Sequence, residues 1–334
     1  MQLHGSSCLA PGSTAESPCS LALANMTGAN RLLIGLGWSM VVFVAWYQLR
    51  RRDQPRKEVK LERSQSVEVS FLAVASAYCL ALPLKRTISL VDAAVLIGLF
   101  AAYAVRISRA PGQEPHLVGP ASWVATFSVP RRRGMVVGLF VFAALVIVAS
   151  AEHFAAALVD TGQSLGISEF LLVQWVAPLA SETPELLIAG LYAWRLNSRA
   201  GLGTLVSSKV NQWTLLVGSL PVVFAIASGS LTGLPIDARQ REELLLTAAQ
   251  SVFAVAVVSS LSITVREAWA LFSLFWAQFI LGAFVPESAH GTELIVVSIV
   301  YLVLAAVTIV RHRSDIRRLL RDGLRTPYEE LAHS

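Results

Sequence analysis

The chain has 334 residues, of which 54% are hydrophobic and only 15% charged, against about 25% charged in a soluble domain. That balance excludes an ordinary water-soluble domain and points to a polytopic membrane protein. The net charge of +5 does not mark a nucleic-acid binder, because the basic residues stand in short runs between apolar stretches, the pattern that sets membrane orientation.

Residues 1–29 are polar, lack a continuous apolar signal core, and are expected to lie outside the cytoplasm. Cys8 and Cys19 in this segment pair as a disulfide if it is outside, or stand as free thiols. Apolar runs of about 20 residues, enough to span, then fall near 30–49, 67–84, 88–107, 135–153, 168–194, 204–228, 243–262, 266–285 and 291–310. Cys79 lies in one of them and reads as packing. The expected fold is all-α, with about nine transmembrane helices. The run 168–194 holds Pro178 and Pro184 and reads as a broken or kinked helix whose freed backbone faces a cavity.

With the N-terminus outside, 21 Lys and Arg fall on the cytoplasmic side and five outside: Arg31, Lys85, Arg86, Arg239 and Arg241. This split orients the chain with its C-terminus in the cytoplasm. The basic residues also mark a cytoplasmic loop at 108–133 and a basic tail at 311–334, read as solvated or resting on lipid headgroups.

Residues 59–107 and 235–281 look alike: Arg63 pairs with Arg239, Glu68 with Glu243, and Asp92 with Glu267. Each block follows a helix start rich in small polar residues, A-N-M-T-G-A-N-R at 24–31 and G-T-L-V-S-S-K-V-N-Q at 203–212. An odd number of helices separates the copies, so they run in opposite directions, as in transporters whose substrate site lies at the repeat interface. The division is a partial N-terminal repeat over 30–107 with three helices and a C-terminal repeat over 134–310 with six.

The chemistry concentrates in L-A-S-E-T-P-E-L-L-I-A-G (179–190) and the 203–212 segment. Glu182 and Glu185 are three residues apart and share a helix face. Lys209 follows one helical hairpin later. Each such charge costs about 2.5–3.5 kcal/mol at a bilayer centre, so three of them point to handling of an ion or a proton. Ser207, Ser208, Asn211 and Gln212 offer the oxygens that hard cations take, or pack the helix contact. Glu182 could instead form a static bridge with Lys209. No H-E-x-x-H, P-loop or G-x-S-x-G motif is present, and no enzyme is expected.

These segments resemble the calcium/cation antiporter superfamily, the sodium/calcium exchanger membrane region. Ser150–Phe170, S-A-E-H-F-A-A-A-L-V-D-T-G-Q-S-L-G-I-S-E-F, is similar to the segment that precedes that family's G-T-S-x-P-E helix. Ala180–Glu185 matches the motif itself, with Glu185 on its cation-binding glutamate. Ser207, Ser208 and Lys209 fall on the following G-S-N triplet, and Gln212 on its last Asn. In the N-terminal repeat Gly28, Ala29 and Asn30 fall on the same triplet. Lys209 stands where the family has Asn, Glu182 where it usually has Ser, and the helix pair expected ahead of residue 24 has no good match. T-A-E-S-P at 14–18 is a poor one.

The resemblance implies a plasma-membrane antiporter exchanging Ca²⁺ or Na⁺ for H⁺ or Na⁺ by alternating access. The ligand set would be Glu185, Glu182, Ser181, Ser207, Ser208, Gln212 and Asn30, with Lys209 as a proton-handling or charge-compensating group. Inorganic cations, H⁺ and the bilayer are its expected partners, with no cofactor beyond the transported cation and no nucleic acid. The alternatives are a truncated or degenerate exchanger-like protein, inactive alone, and a transporter of an organic or anionic substrate with Lys209 as counter-charge.

Overall fold

A computed structural model describes residues 18–53, 57–110, 120–166 and 172–332. The first rod joins α1 (Pro18–Leu32) to α2 (Ser39–Arg51) through a π-helical stretch, Leu33–Trp38. Strand β1 (Glu58–Lys60) leads to α3 (Ser66–Cys79), and β2 (Thr87–Ile88) to α4 (Leu90–Ile107). Short α5 (Pro120–Ala125) precedes the long α6 (Val129–Leu165). A second π stretch, Leu172–Val176, opens α7 (Ala177–Trp194). A third, Gln212–Leu216, joins α8 (Ser198–Asn211) to α9 (Val217–Ser228). Strand β3 (Leu234–Pro235), α10 (Ala238–Val258), β4 (Ser262–Thr264), α11 (Val265–Phe284) and α12 (His290–Arg311) follow. Helices α13 (Arg313–Leu324) and α14 (Tyr328–Ala332) close the described chain.

The fold is all-α apart from these two-stranded ladders, and the expected rods are present. Among the described residues six helices are long and apolar enough to cross a membrane: Leu23–Arg51, Arg63–Leu84, Leu90–Ile107, Val129–Ser150, Ser198–Ser228 and His290–Arg311. The other three expected spans, α7, α10 and α11, also form helices but carry Glu182 and Glu185, Glu242 and Glu243, and Arg266 and Glu267. Helix α6 exposes Val136, Phe140, Phe142, Ile147 and Val148, a face that hydrocarbon solvates and water does not.

The repeat is written in the helix caps. Glu62–Gln65 and Asp237–Gln240 form capping boxes, as do Ser89–Asp92 and Thr264–Glu267. Matching residues stand 175 apart, Gln65 to Gln240 and Asp92 to Glu267. The acids that look misplaced in apolar runs are thus partners for orphan backbone N–H groups. At this spacing Glu68 matches Glu243 as expected, but Arg63 matches Ala238, so the expected pairing with Arg239 is one residue out of register. The two copies also hydrogen-bond to each other: β1 pairs antiparallel with β4, and β2 with β3. Exchanging the copies turns one ladder into the other.

Two expectations need correction, and a third is refined. Residues 18–29, assigned to a segment outside the membrane, are the start of α1, with Leu23, Ala24, Met26 and Thr27 buried. Arg31, counted as an outside charge, is buried at 1% exposure and pairs with Glu243 at 2.6 Å; a carboxylate, not bulk water, faces its charge. The described part of the 311–334 tail is not a free segment: α13 docks on α3 and buries Leu319, Asp322 and Gly323, while Arg313, Arg317, Arg318, Arg321 and Arg325 stay exposed. Gly323 lies against Ser66 and Ser70, and the Ser70 hydroxyl donates to Leu319 O at 2.9 Å. The 108–133 loop also holds α5 and the first turn of α6. Cys8 and the side chain of Cys19, and hence their disulfide, lie outside the described residues.

Helix α1 approaches the π stretch before α7 at Gly28. A Cβ there would overlap the Gln174 carbonyl oxygen and approach Pro178 Cγ to 3.2 Å. Gly28→Ala therefore forces backbone apart, and overpacking of this kind costs about 1–3 kcal/mol. The expected result is a clearly lowered unfolding temperature in detergent, and an unchanged one would contradict the close approach.

The α13 dock has a polar lock. Arg63 Nε donates to Asp322 Oδ2 at 2.8 Å, and the Arg63 guanidinium holds the buried Asp322 carboxyl below the usual carboxylate range, with Arg321 adding to the effect. A carboxyl lowered on folding stabilises above its unfolded pKa of about 3.9, and that contribution is lost as pH falls through the folded value. Protease protection of the tail should persist at neutral pH and fail well below pH 4. Asp322→Asn should lose it at neutral pH, and a fully protected tail in that variant would refute the lock.

Candidate functional site

The elements bearing the expected ligands meet where α1, α7 and α8 pack together. Gly37, in the first π stretch, contacts Leu186 and Leu205, and Gly201 lies against the Ala189 carbonyl. Each of the three rods carries a π stretch. The extra residue per turn misaligns the backbone bonds and marks functional positions. Asn30 and Lys209 each stand three residues ahead of such a stretch, so they hold equivalent places in the two copies.

Lys209 is fully buried. Its Nζ donates to both Oδ1 and the backbone oxygen of Asn30, each at 3.0 Å, so repeat-mates bond directly. Asn30 Nδ2 donates to Met26 O at 3.0 Å, which fixes the amide with its oxygen toward the lysine. The Trp213 ring lies 5.6 Å from Nζ, and its Nε1 donates to Ser251 Oγ at 2.8 Å. Among the described residues no carboxylate comes within ion-pair distance of Lys209, so the static bridge to Glu182 is not formed.

Glu182 is buried and accepts a hydrogen bond from the Gln212 side chain, with Glu185 and Lys209 close enough to act on its charge. Glu182 Oε2, Glu185 Oε2 and Gln212 Oε1 are buried and have no hydrogen-bond partner. Buried acceptors without partners are rare. Three of them at one crossing suit a group that alternates between holding a proton and holding a hard cation. Among the described residues no three His, Cys, Asp or Glu side chains cluster to hold a metal ion. A cation here would thus use two carboxylates plus neutral oxygens.

The structure brings Asn30, Lys209, Gln212, Glu182 and Glu185 together. Ser208 is half-buried beside Lys209. Ser207 is tied to the Tyr103 hydroxyl at 2.7 Å. Ser181 is exposed and its hydroxyl donates to Pro178 O at 3.3 Å. Helix α7 is not broken at the P-E motif, since Pro178 opens it after the π stretch and Pro184 lies within it. Sequence reasoning missed Tyr103, which looks like packing in an apolar helix. It also missed the Arg31–Glu243 pair, which adjoins Asn30 and lies under Trp175, with Arg31 Cζ 4.9 Å from the ring. The match of Glu243 to Glu68 was the available signal.

The family described as sodium/calcium exchanger protein matches residues 12–108 and 135–284, one segment for each repeat. No curated protein sequence matches the chain. A crystal structure of the H⁺/Ca²⁺ exchanger CAX is similar over 99% of this chain and 80% of its own, with 40% identity and a TM-score of 0.86. The chain therefore belongs to the sodium/calcium exchanger family and is a polytopic membrane cation antiporter.

Proposed function

We propose that the chain exchanges Ca²⁺ for H⁺ by alternating access, with Glu185 and Glu182 as the groups that take either ion. The observation that carries this reading is the set of unpartnered oxygens on Glu182, Glu185 and Gln212 beside a lysine that already donates twice to Asn30. The carboxylates attract the cation, Gln212 and Asn30 add neutral oxygens, and Ser207, Ser208 and Ser181 are further candidate ligands on the same helices. Protonation of the acids releases the cation. Lys209 compensates charge while the acids are empty. The similar solved structure is itself an H⁺/Ca²⁺ exchanger, which favours protons over Na⁺ as the counter-ion.

The anionic-substrate alternative is disfavoured because the Lys209 ammonium spends two of its three donors on Asn30 rather than presenting them to a ligand. On this reading the protein is no enzyme, needs no cofactor besides its cargo, and sits in the plasma membrane with its arginine-rich face in the cytoplasm. Purified protein in liposomes with an imposed pH gradient tests it. The expected result is accumulation of ⁴⁵Ca²⁺ against its gradient, collapsed by a protonophore and unaffected by a Na⁺ gradient. Accumulation driven by Na⁺ alone would reassign the counter-ion. No accumulation under either gradient would support the degenerate reading.

A further inference from the structure

A second group of charges is buried away from the α7–α8 crossing, in the half of the bundle where α10 and α12 begin. Arg31 on α1, Glu243 on α10 and Glu293 on α12 gather there, with side chains 1%, 7% and 7% exposed. Arg31 Nη2 lies 2.6 Å from Glu243 Oε2, and Glu293 is close enough for its charge to act with both. Yet Nε, Nη1 and Nη2 of Arg31, Oε2 of Glu243 and Oε1 of Glu293 are all without a hydrogen-bond partner. A buried bridge that only held the helices together would need those bonds to offset its desolvation. The charges do not balance either. One guanidinium offsets one carboxylate, and a second ionised carboxylate in the same buried place is left without a counter-charge. Among the described residues Glu293 faces Arg31 from α1, Glu243 from α10 and His290 from its own helix, while α11 presents Gly282. The neighbouring Glu242 carboxylate lies against Gly291 in the first turn of α12.

We propose that Arg31, Glu243 and Glu293 form a proton-binding site, in which Glu293 carries the proton between His290 and the ion site. His290 Nδ1 lies 4.0 Å from Glu293 Oε2, and its side chain is partly exposed at the start of α12. An imidazolium there gives its proton to the Glu293 carboxylate. The imidazole and the carboxyl are both left neutral, and the Arg31–Glu243 pair is balanced. On the inner side Arg31 follows Asn30, which accepts both bonds from Lys209, and the lysine charge acts on Glu182. The unbonded guanidinium nitrogens supply donors that can turn from Glu243 to an ionised Glu293, so the cluster takes either protonation state. The carrier role rests on the Ca²⁺/H⁺ exchange proposed above, and the proton site itself does not.

The test gives purified protein in liposomes a pH gradient and follows ⁴⁵Ca²⁺ uptake, beside equilibrium ⁴⁵Ca²⁺ binding in detergent. Glu293→Gln should slow uptake about tenfold, flatten its dependence on pH and leave the Ca²⁺ affinity unchanged. Glu293→Asp keeps a carboxyl and should recover most of the rate. Infrared titration needs no transport. It should show a carboxyl that gains and loses a proton with pH, removed by Glu293→Gln and kept in Glu182→Gln/Glu185→Gln. That signal without proton-driven uptake in the wild type would refute the exchange reading and leave the proton site standing. Should Glu293→Gln fail to fold, Glu293→Asp carries the test, because the shorter carboxyl must shift the titrating signal. Undiminished uptake with an unchanged pH profile in Glu293→Gln, a titrating signal that survives it, or an unshifted signal in Glu293→Asp would overturn the proposal.

Discussion

Replacing Glu185 by glutamine is expected to stop ion exchange while the protein stays folded and inserted. The amide keeps the shape of the side chain but removes the charge that offsets the desolvation of a bare cation, and it cannot shed or accept a proton. Transport should fall about a hundredfold or more, equivalent to about 2.7 kcal/mol. Stability should change little, because Glu185 is only half-buried and one of its oxygens has no partner to lose. Undiminished transport in Glu185→Gln, with normal expression, would remove Glu185 from the ion site. Glu182→Gln is the companion variant. The Gln212 bond to Glu182 makes it more costly to folding.

The second large effect is at Lys209. Asn30 and Lys209 occupy equivalent positions, and the ammonium bonds to its own repeat-mate. An ammonium cannot ligate a metal ion and repels one, whereas an asparagine oxygen can ligate. Lys209→Asn should tighten Ca²⁺ binding about tenfold, a change of about 1.4 kcal/mol, and displace the pH profile of transport. Lys209→Ala should instead lower stability, because it strands the buried Asn30 oxygen at a cost of about 1–3 kcal/mol. If Lys209→Asn matches wild type in pH dependence and ion competition, the lysine is a structural cross-link between the copies and nothing more. A stability readout beside the transport assay separates the two roles.

The rods and their hairpins were legible because apolar length and turn residues report directly on spanning helices. The repeat was legible through Asp92 and Glu267, since each caps a helix and a cap must recur at a fixed place. The fine register was not, because Arg63 and Arg239 are similar side chains at similar depths and nothing in their identity sets the pairing. Arg31 misled for a different reason. At the edge of an apolar run a charge reads as a loop residue, and only the fold brings Glu243 to within 2.6 Å of it. The docking of the tail was not legible because Ser66, Ser70 and Asp322 are ordinary polar residues until α13 packs on α3.

Within the candidate site, Glu182, Glu185, Lys209, Gln212 and Asn30, which the structure brings together, stood out by charge in apolar surroundings or by motif position. Their mutual geometry was not. The π stretches have no signature in residue type, yet one lies in each of the three rods that carry these side chains. The two prolines were visible and suggested a break. The chain instead absorbs Pro178 at the start of α7 and leaves the helix continuous past Pro184, which keeps Glu182 and Glu185 on one face.

The most direct test of the account is proton release on cation binding. Purified wild-type protein in weakly buffered detergent solution is titrated with Ca²⁺ while ⁴⁵Ca²⁺ binding and solution pH are followed together. If the glutamates hold either a proton or the cation, Ca²⁺ binding releases protons, the release declines at higher pH where the acids are already ionised, and it disappears in Glu182→Gln/Glu185→Gln. Saturable Ca²⁺ binding with no proton release at any pH, or release that survives in the double variant, would contradict it.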